Sequence, residues 1–220
     1  ITLYQIADAE IRKCIDAYLK LARETHGLSI VKEEHLADQR LIVILLAGLG
    51  IRQFNVTAAQ AVDEWKRRSA IPFDLETAIT TEVYRNIREL GSTFLNSVDK
   101  TSKGFTEFDP AFIQKNPYLL PLLQHLAGIF SKSKLKELVG SVSDNSISKP
   151  AALRLAALLS ERVDPKTVNK GEILQRLEST LEGIVRDLVG RVLLESIVAS
   201  ALADQGVPFQ REEEYSSLTG

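Results

Sequence analysis

Methionine is missing from all 220 residues, the first included, so the string is expected to belong to a longer polypeptide or to omit residues internally. Cysteine is nearly missing too. Cys14 stands alone, which excludes an intramolecular disulfide, and no second ligand lies at metal spacing from it. It falls among Ile11, Ile15 and Tyr18 at helical spacing, and that predicts an inert, partly buried thiol. Histidine is scarce: His26, His35 and His125 sit in separate segments with no other ligand at a motif spacing, which argues against zinc. Long apolar runs are absent, the longest being Leu41–Leu49, far short of a bilayer span. The N-terminal residues show neither a basic region nor a small-residue cleavage site. Together these absences predict a soluble cytoplasmic protein without a membrane partner.

The phosphate-cradling loops are missing as well. There is no Gly-x-x-x-x-Gly-Lys-Ser/Thr, no Gly-x-Gly-x-x-Gly after a strand and no Gly-x-Ser-x-Gly elbow. A nucleotide-dependent ATPase or a Rossmann dehydrogenase is therefore disfavoured. No fixed-period repeat occurs, which argues against a solenoid.

What is present is the balance of a folded globular chain, 45% hydrophobic and 25% charged. The formal charge of −2 leaves nucleic acid open as a partner, because basic residues can be confined to one face. Apolar periodicity predicts a helix from Leu3 to about Thr25, ending before Gly27. A second helix is predicted over Glu33–Ala47, central in the core because Leu41–Leu46 is apolar all round, with a strand as the alternative for that run. Asn55 or Thr57 is expected to cap a third helix through Arg68, broken by Pro72. Asp74 is expected to cap a fourth helix running past Leu90 and on towards Val98. Asp99–Pro117 reads as polar turns, and Tyr118–Phe130 as a helix that Leu135–Val139 extends. Gly140–Lys149 is the clearest linker. Ala151–Arg162 is strongly helical, and a long helix over Gly171–Gln205 is predicted to stop at Gly206. Val207–Tyr215 reads as a strand. The fold class expected is mainly α: a helical region over 1–145, then residues 146–220 leading into the beginning of an α/β core.

One constellation carries chemistry. Gly190 and Arg191 precede Glu195 by about a turn, and Ile197, Val198, Ala201 and Leu202 give the helix a small apolar face. The glycine stop and Val207-Pro208-Phe209 follow at once. This order resembles the opening of the PD-(D/E)XK nuclease core found in type II restriction endonucleases, over about a fifth of the chain. The resemblance implies a Mg²⁺-dependent, site-specific DNA endonuclease acting on double-stranded DNA as a homodimer. It makes Glu195 the catalytic helix acid and a metal ligand. The family's Asp followed by Glu-x-Lys, which hold Mg²⁺ and activate water, does not occur after Glu195 in these residues and is expected on strands beyond Gly220. The plainer alternatives for Glu195 are a solvated helix residue or a partner for Arg191 at i−4. Glu212, Glu213 and Glu214 could suggest a metal cluster, but strand alternation sends Glu213 to the opposite face, which favours a solvated edge.

Lys66, Arg67 and Arg68, with Arg52 before them and Arg85 and Arg88 after, form a basic cluster suited to DNA phosphates. In the nuclease reading Lys66, Arg67, Arg68 and Arg191 are the DNA-binding residues. The same charges near a helix C-terminus also complement the helix dipole without any ligand. Asn55–Leu90 is loosely like a helix-turn-helix, and Lys132, Lys134 and Lys136 form a second patch of equal ambiguity. The competing reading is a non-enzymatic helical adaptor or regulatory domain that binds a protein partner through an apolar groove.

Overall fold

The computed structural model describes residues 2–143 and 145–209. Helix takes 71% of it and strand 1%, so the chain is mainly helical. Nine α-helices are present among the described residues: α1 (Leu3–Glu24), α2 (Gln39–Gly48), α3 (Ala58–Arg68), α4 (Leu75–Thr101), α5 (Pro110–Lys115), α6 (Leu120–Leu126), α7 (Lys132–Val139), α8 (Lys149–Arg162) and α9 (Lys170–Asp204). There is no sheet among the described residues; a lone bridge pairs Val142 with Ile147. The α/β core expected after residue 146 is thus not seen there. Val207–Phe209 is irregular rather than a strand, and the remainder of the expected strand, Gln210–Tyr215, lies outside the described residues, as do Glu212, Glu213 and Glu214.

The run Leu41–Leu46 is helix, with Ile42–Gly48 buried throughout. The single helix expected over Glu33–Ala47 is broken, because Asp38 accepts the Arg40 N–H at 2.9 Å and so starts α2 afresh after a 3₁₀ turn. Thr57 caps α3 reciprocally with Gln60, and Asp74 accepts the Thr77 N–H at 3.0 Å to begin α4. Asp109-Pro110, where the sequence pattern predicts a turn, instead opens α5: Asp109 accepts the Ala111 N–H and proline occupies the first turn. Ser131 caps α7 and separates it from α6, which ends before Gly128 at φ +67°. The serine-rich stretch Gly140–Lys149 is folded tightly enough to bury Val142 and Ile147.

Contacts divide the chain into two compact units: Ile1–Ala7 with Arg85–Ile184, and Asp8–Tyr84 with Val185–Gly220, as far as their residues are described. Residue 145 falls inside the first. In that unit α8 packs against α5 and α7, burying Ile113, Leu135, Val139, Leu155 and Leu159. In the second unit α2 packs against α3. Its core joins Leu21, Leu36, Ile42, Leu45, Leu46 and Val62, with Tyr18, Trp65 and Phe73 closing over it.

Two helices stop by the same device. After α1, Thr25 Oγ1 donates to Leu21 O at 2.7 Å and accepts the Leu28 N–H at 3.1 Å. After α4, Ser102 Oγ donates to Asp99 O and accepts the Phe105 N–H. In each case three consecutive residues are left-handed, His26, Gly27 and Leu28 in one and Lys103, Gly104 and Phe105 in the other. Left-handed backbone is costly away from glycine, and here burial of Leu28 and Phe105 holds it in place. Thr25 is itself fully buried, so Thr25→Val keeps the shape and orphans the Leu28 N–H. A loss of about 1–3 kcal/mol in urea denaturation is expected, with Thr25→Ser close to wild type; a neutral Thr25→Val would show that the hydroxyl does not secure the turn.

Candidate functional site

Glu195 lies in the second unit on α9, whose start is fixed by Asn169 accepting the Glu172 N–H at 3.1 Å. Within that unit, α9 buries Leu188, Val189, Val192, Ser196 and Ala199, a spacing that follows the helical period. Glu195 stands at the edge of this stripe, its side chain 29% exposed. Its Oε2 accepts from an Arg12 Nη2 at 3.3 Å, and Arg12 Nε donates to Asp8 Oδ2 at 2.8 Å. Arg12 therefore bridges a carboxylate on its own helix and one 183 residues away. The planar fork of guanidinium suits this use, since its donors point in fixed directions. Glu195 Oε1 is buried and has no hydrogen-bond partner among the described residues.

Glu195 is therefore half-buried and anchored, not a solvated helix residue. Its ion-pair partner is Arg12 on α1; Arg191 is exposed and makes no ion pair among the described residues. Arg12 and Asp8 are absent from the sequence-based candidates because the pairing that matters spans most of the chain. The only local signal is the i, i+4 spacing of Asp8 and Arg12.

Beside Glu195, α9 shows an uncovered apolar strip. Leu194 is 65% exposed, Val198 47% and Ile197 39%, and Val207 and Phe209 just past the helix are exposed as well. The spacing i, i+3, i+4 places the first three on one face. This is the small apolar face marked in the sequence, with Leu194 added; Ala201 is exposed and Leu202 half-buried.

The basic candidates are placed as follows. Lys66, Arg67 and Arg68 close α3 and are all exposed. Glu64 accepts from Arg67 at 2.6 Å and Arg68 at 3.4 Å, which offsets part of their field while leaving them in water, where such pairs contribute little. Arg52 is exposed beside a cavity of about 310 Å³ that Thr77 and Thr81 also line. Arg88 reaches Glu178 at 3.9 Å, and Lys134 pairs with Glu137 at 3.0 Å. The structure does not bring Lys66, Arg67 or Arg68 into an ion pair with Glu195, which is engaged by Arg12 instead.

Mg²⁺ was expected with Glu195, and the residues present do not make a site for it by themselves. Among the described residues no three His, Cys, Asp or Glu side chains cluster as a metal would need. The two nearby carboxylates, Asp8 and Glu195, already share a cation in Arg12. Glu195 Oε1 stays buried without a hydrogen-bond partner among the described residues.

Among the described residues, no helix is long and apolar enough to cross a membrane. Comparison with protein-family models, curated proteins and solved structures returns no match.

Proposed function

We propose that the chain is the helical part of a Mg²⁺-dependent, site-specific DNA endonuclease of restriction type, with Glu195 as its helix acid. The observation that carries this reading is a half-buried carboxylate, fixed by Arg12 and keeping one oxygen unpartnered, next to the uncovered strip of Leu194, Ile197 and Val198. A helix that packs against a sheet while offering a carboxylate at its edge needs both features. The sheet, its Asp and its Glu-x-Lys belong in this reading to strands beyond Gly220. Mg²⁺, when held by those carboxylates together with Glu195, would position and acidify water and stabilise charge on the phosphoryl oxygens. Lys66, Arg67, Arg68 and Arg191, all exposed, would meet phosphates of double-stranded DNA and give the affinity its salt dependence. A homodimer would match two-fold sites.

The test is plasmid cleavage by the full-length protein with and without Mg²⁺, alongside Glu195→Gln. Discrete Mg²⁺-dependent fragments are expected, with the rate cut by about 100-fold or more in the variant. Intact plasmid across salt and sequence would sink the proposal. The same apolar strip favours a second reading, a non-enzymatic helical module that binds a protein partner there. It predicts no cleavage, and a partner whose binding Ile197→Asp abolishes.

A further inference from the structure

The first unit carries a pair of adjoining cavities that owe nothing to Glu195. Ile129 turns inward, its N–H bonded to Gln124 O at 2.9 Å, and the next residue, Phe130, is thereby sent outward. Phe130 is 66% exposed, the most exposed of the large hydrophobic side chains among the described residues. It is nonetheless held in place: the Arg176 guanidinium lies 4.6 Å from its ring centroid and the His125 ring 6.1 Å away. Arg176 is steadied in turn by an ion pair with Glu172. An exposed aromatic ring fixed by a cation is a prepared stacking surface.

The cavity beside Phe130 measures about 300 Å³, with Tyr4, Gln124 and Thr180 on its walls and Lys132 at its edge. That volume is at the lower end for small-molecule sites. His125 separates it from a second cavity of about 170 Å³, lined by Arg162, Arg176 and Asn169. The lining of the second is mostly polar and charged, which suits a polar group. Two carboxylates border it, and both are engaged: Glu172 by Arg176, and Asp164 by the Lys166 N–H at 3.0 Å. Burial and then Arg176 hold His125 below the ordinary histidine range, so the ring is neutral and keeps an acceptor as well as a donor. Its Nδ1 is buried without a hydrogen-bond partner among the described residues, whereas buried polar atoms are ordinarily paired.

We propose that this groove binds a nucleotide unit, the base stacked on Phe130 in the larger cavity and the phosphate directed to Arg162 and Arg176 in the smaller. A planar, hydrogen-bonding ring joined to an anion matches the order of aromatic surface, polar divider and two arginines better than an apolar peptide segment does. The shared chemistry fits a free nucleotide and a nucleotide within single-stranded DNA equally.

The experiment is anisotropy of a short fluorescein-labelled oligothymidylate with the intact protein in EDTA, with thymidine monophosphate as competitor. Wild type binds, and Phe130→Ala weakens binding about 10-fold or more, while Phe130→Trp retains it. Because Phe130 is exposed, its loss leaves the fold intact. Competition by the mononucleotide at millimolar concentration identifies a free-nucleotide site; binding of the oligonucleotide alone identifies a strand site. Either outcome upholds the proposal. Absence of binding by both probes, unchanged affinity in Phe130→Ala, or a Phe130-dependent response only to an aromatic peptide overturns it. Metal is excluded and Glu195 untouched, so failure here is distinct from failure to cleave DNA.

Discussion

Cys14 in the native protein is expected to react with a disulfide reagent at pH 8 about 1,000-fold more slowly than the same thiol in urea. Burial, then Glu82 and Glu10, push its thiol from 9.0 to about 12, against weaker opposition from Arg40 and Lys13. The thiolate is the nucleophile, and at pH 8 its share falls from roughly a tenth to roughly a ten-thousandth. Complete burial of the side chain slows access further. The shift also links folding to pH. Because the folded value lies above the ordinary 9.0, the protonated thiol's contribution is complete below that pH and is lost as pH climbs towards 12. The loss amounts to about 4 kcal/mol. Urea denaturation between pH 8 and 11 should therefore fall more steeply for wild type than for Cys14→Ala. Absolute stabilities will differ because the alanine leaves a small cavity, so the slopes are compared. Equal slopes, or a native thiol that reacts at the unfolded rate, would show that Cys14 is not in the low-dielectric site described.

Gly48→Ala is expected to destabilise the chain by about 3 kcal/mol, lowering Tm by roughly 6–12 °C. A Cβ at Gly48 would overlap the Phe73 ring, which lies flat against the end of α2. Phe73 has no easy retreat, since it stacks on Tyr18 at 5.9 Å and meets the edge of Trp65 at 6.3 Å. The backbone is pinned as well: the Asp74 N–H donates to Gly48 O at 2.9 Å, so moving the ring also strains the start of α4. Trp65 is the single tryptophan, and its emission reports directly on this cluster. Phe73→Leu placed in the Gly48→Ala background should recover part of the loss, because the smaller side chain vacates the overlapped volume. A Gly48→Ala variant within about 0.5 kcal/mol of wild type would mean the ring is not seated on the glycine.

Most of the helices can be read along the chain alone. Period and capping are local physics, so α1, α3, α8 and α9 were legible from apolar spacing and from Thr57 and Gly206. The errors were local too. Asp38 restarted a helix that periodicity ran together, and Asp109-Pro110 began one where a turn was expected, because the same residue types serve both uses. Glu195 was visible as a candidate because its neighbours formed a pattern along one helix. What it does in the fold was not visible. Its partner Arg12 comes from the other end of the chain, and no spacing rule reaches across 183 residues. Gly48 against Phe73 and Phe130 against Arg176 belong to the same class, in which burial, exposure and pairing are set by which surfaces meet. These are settled by folding, because short-range propensity acts through a residue's own backbone and nearest turns, whereas packing depends on contacts between segments that the sequence keeps far apart.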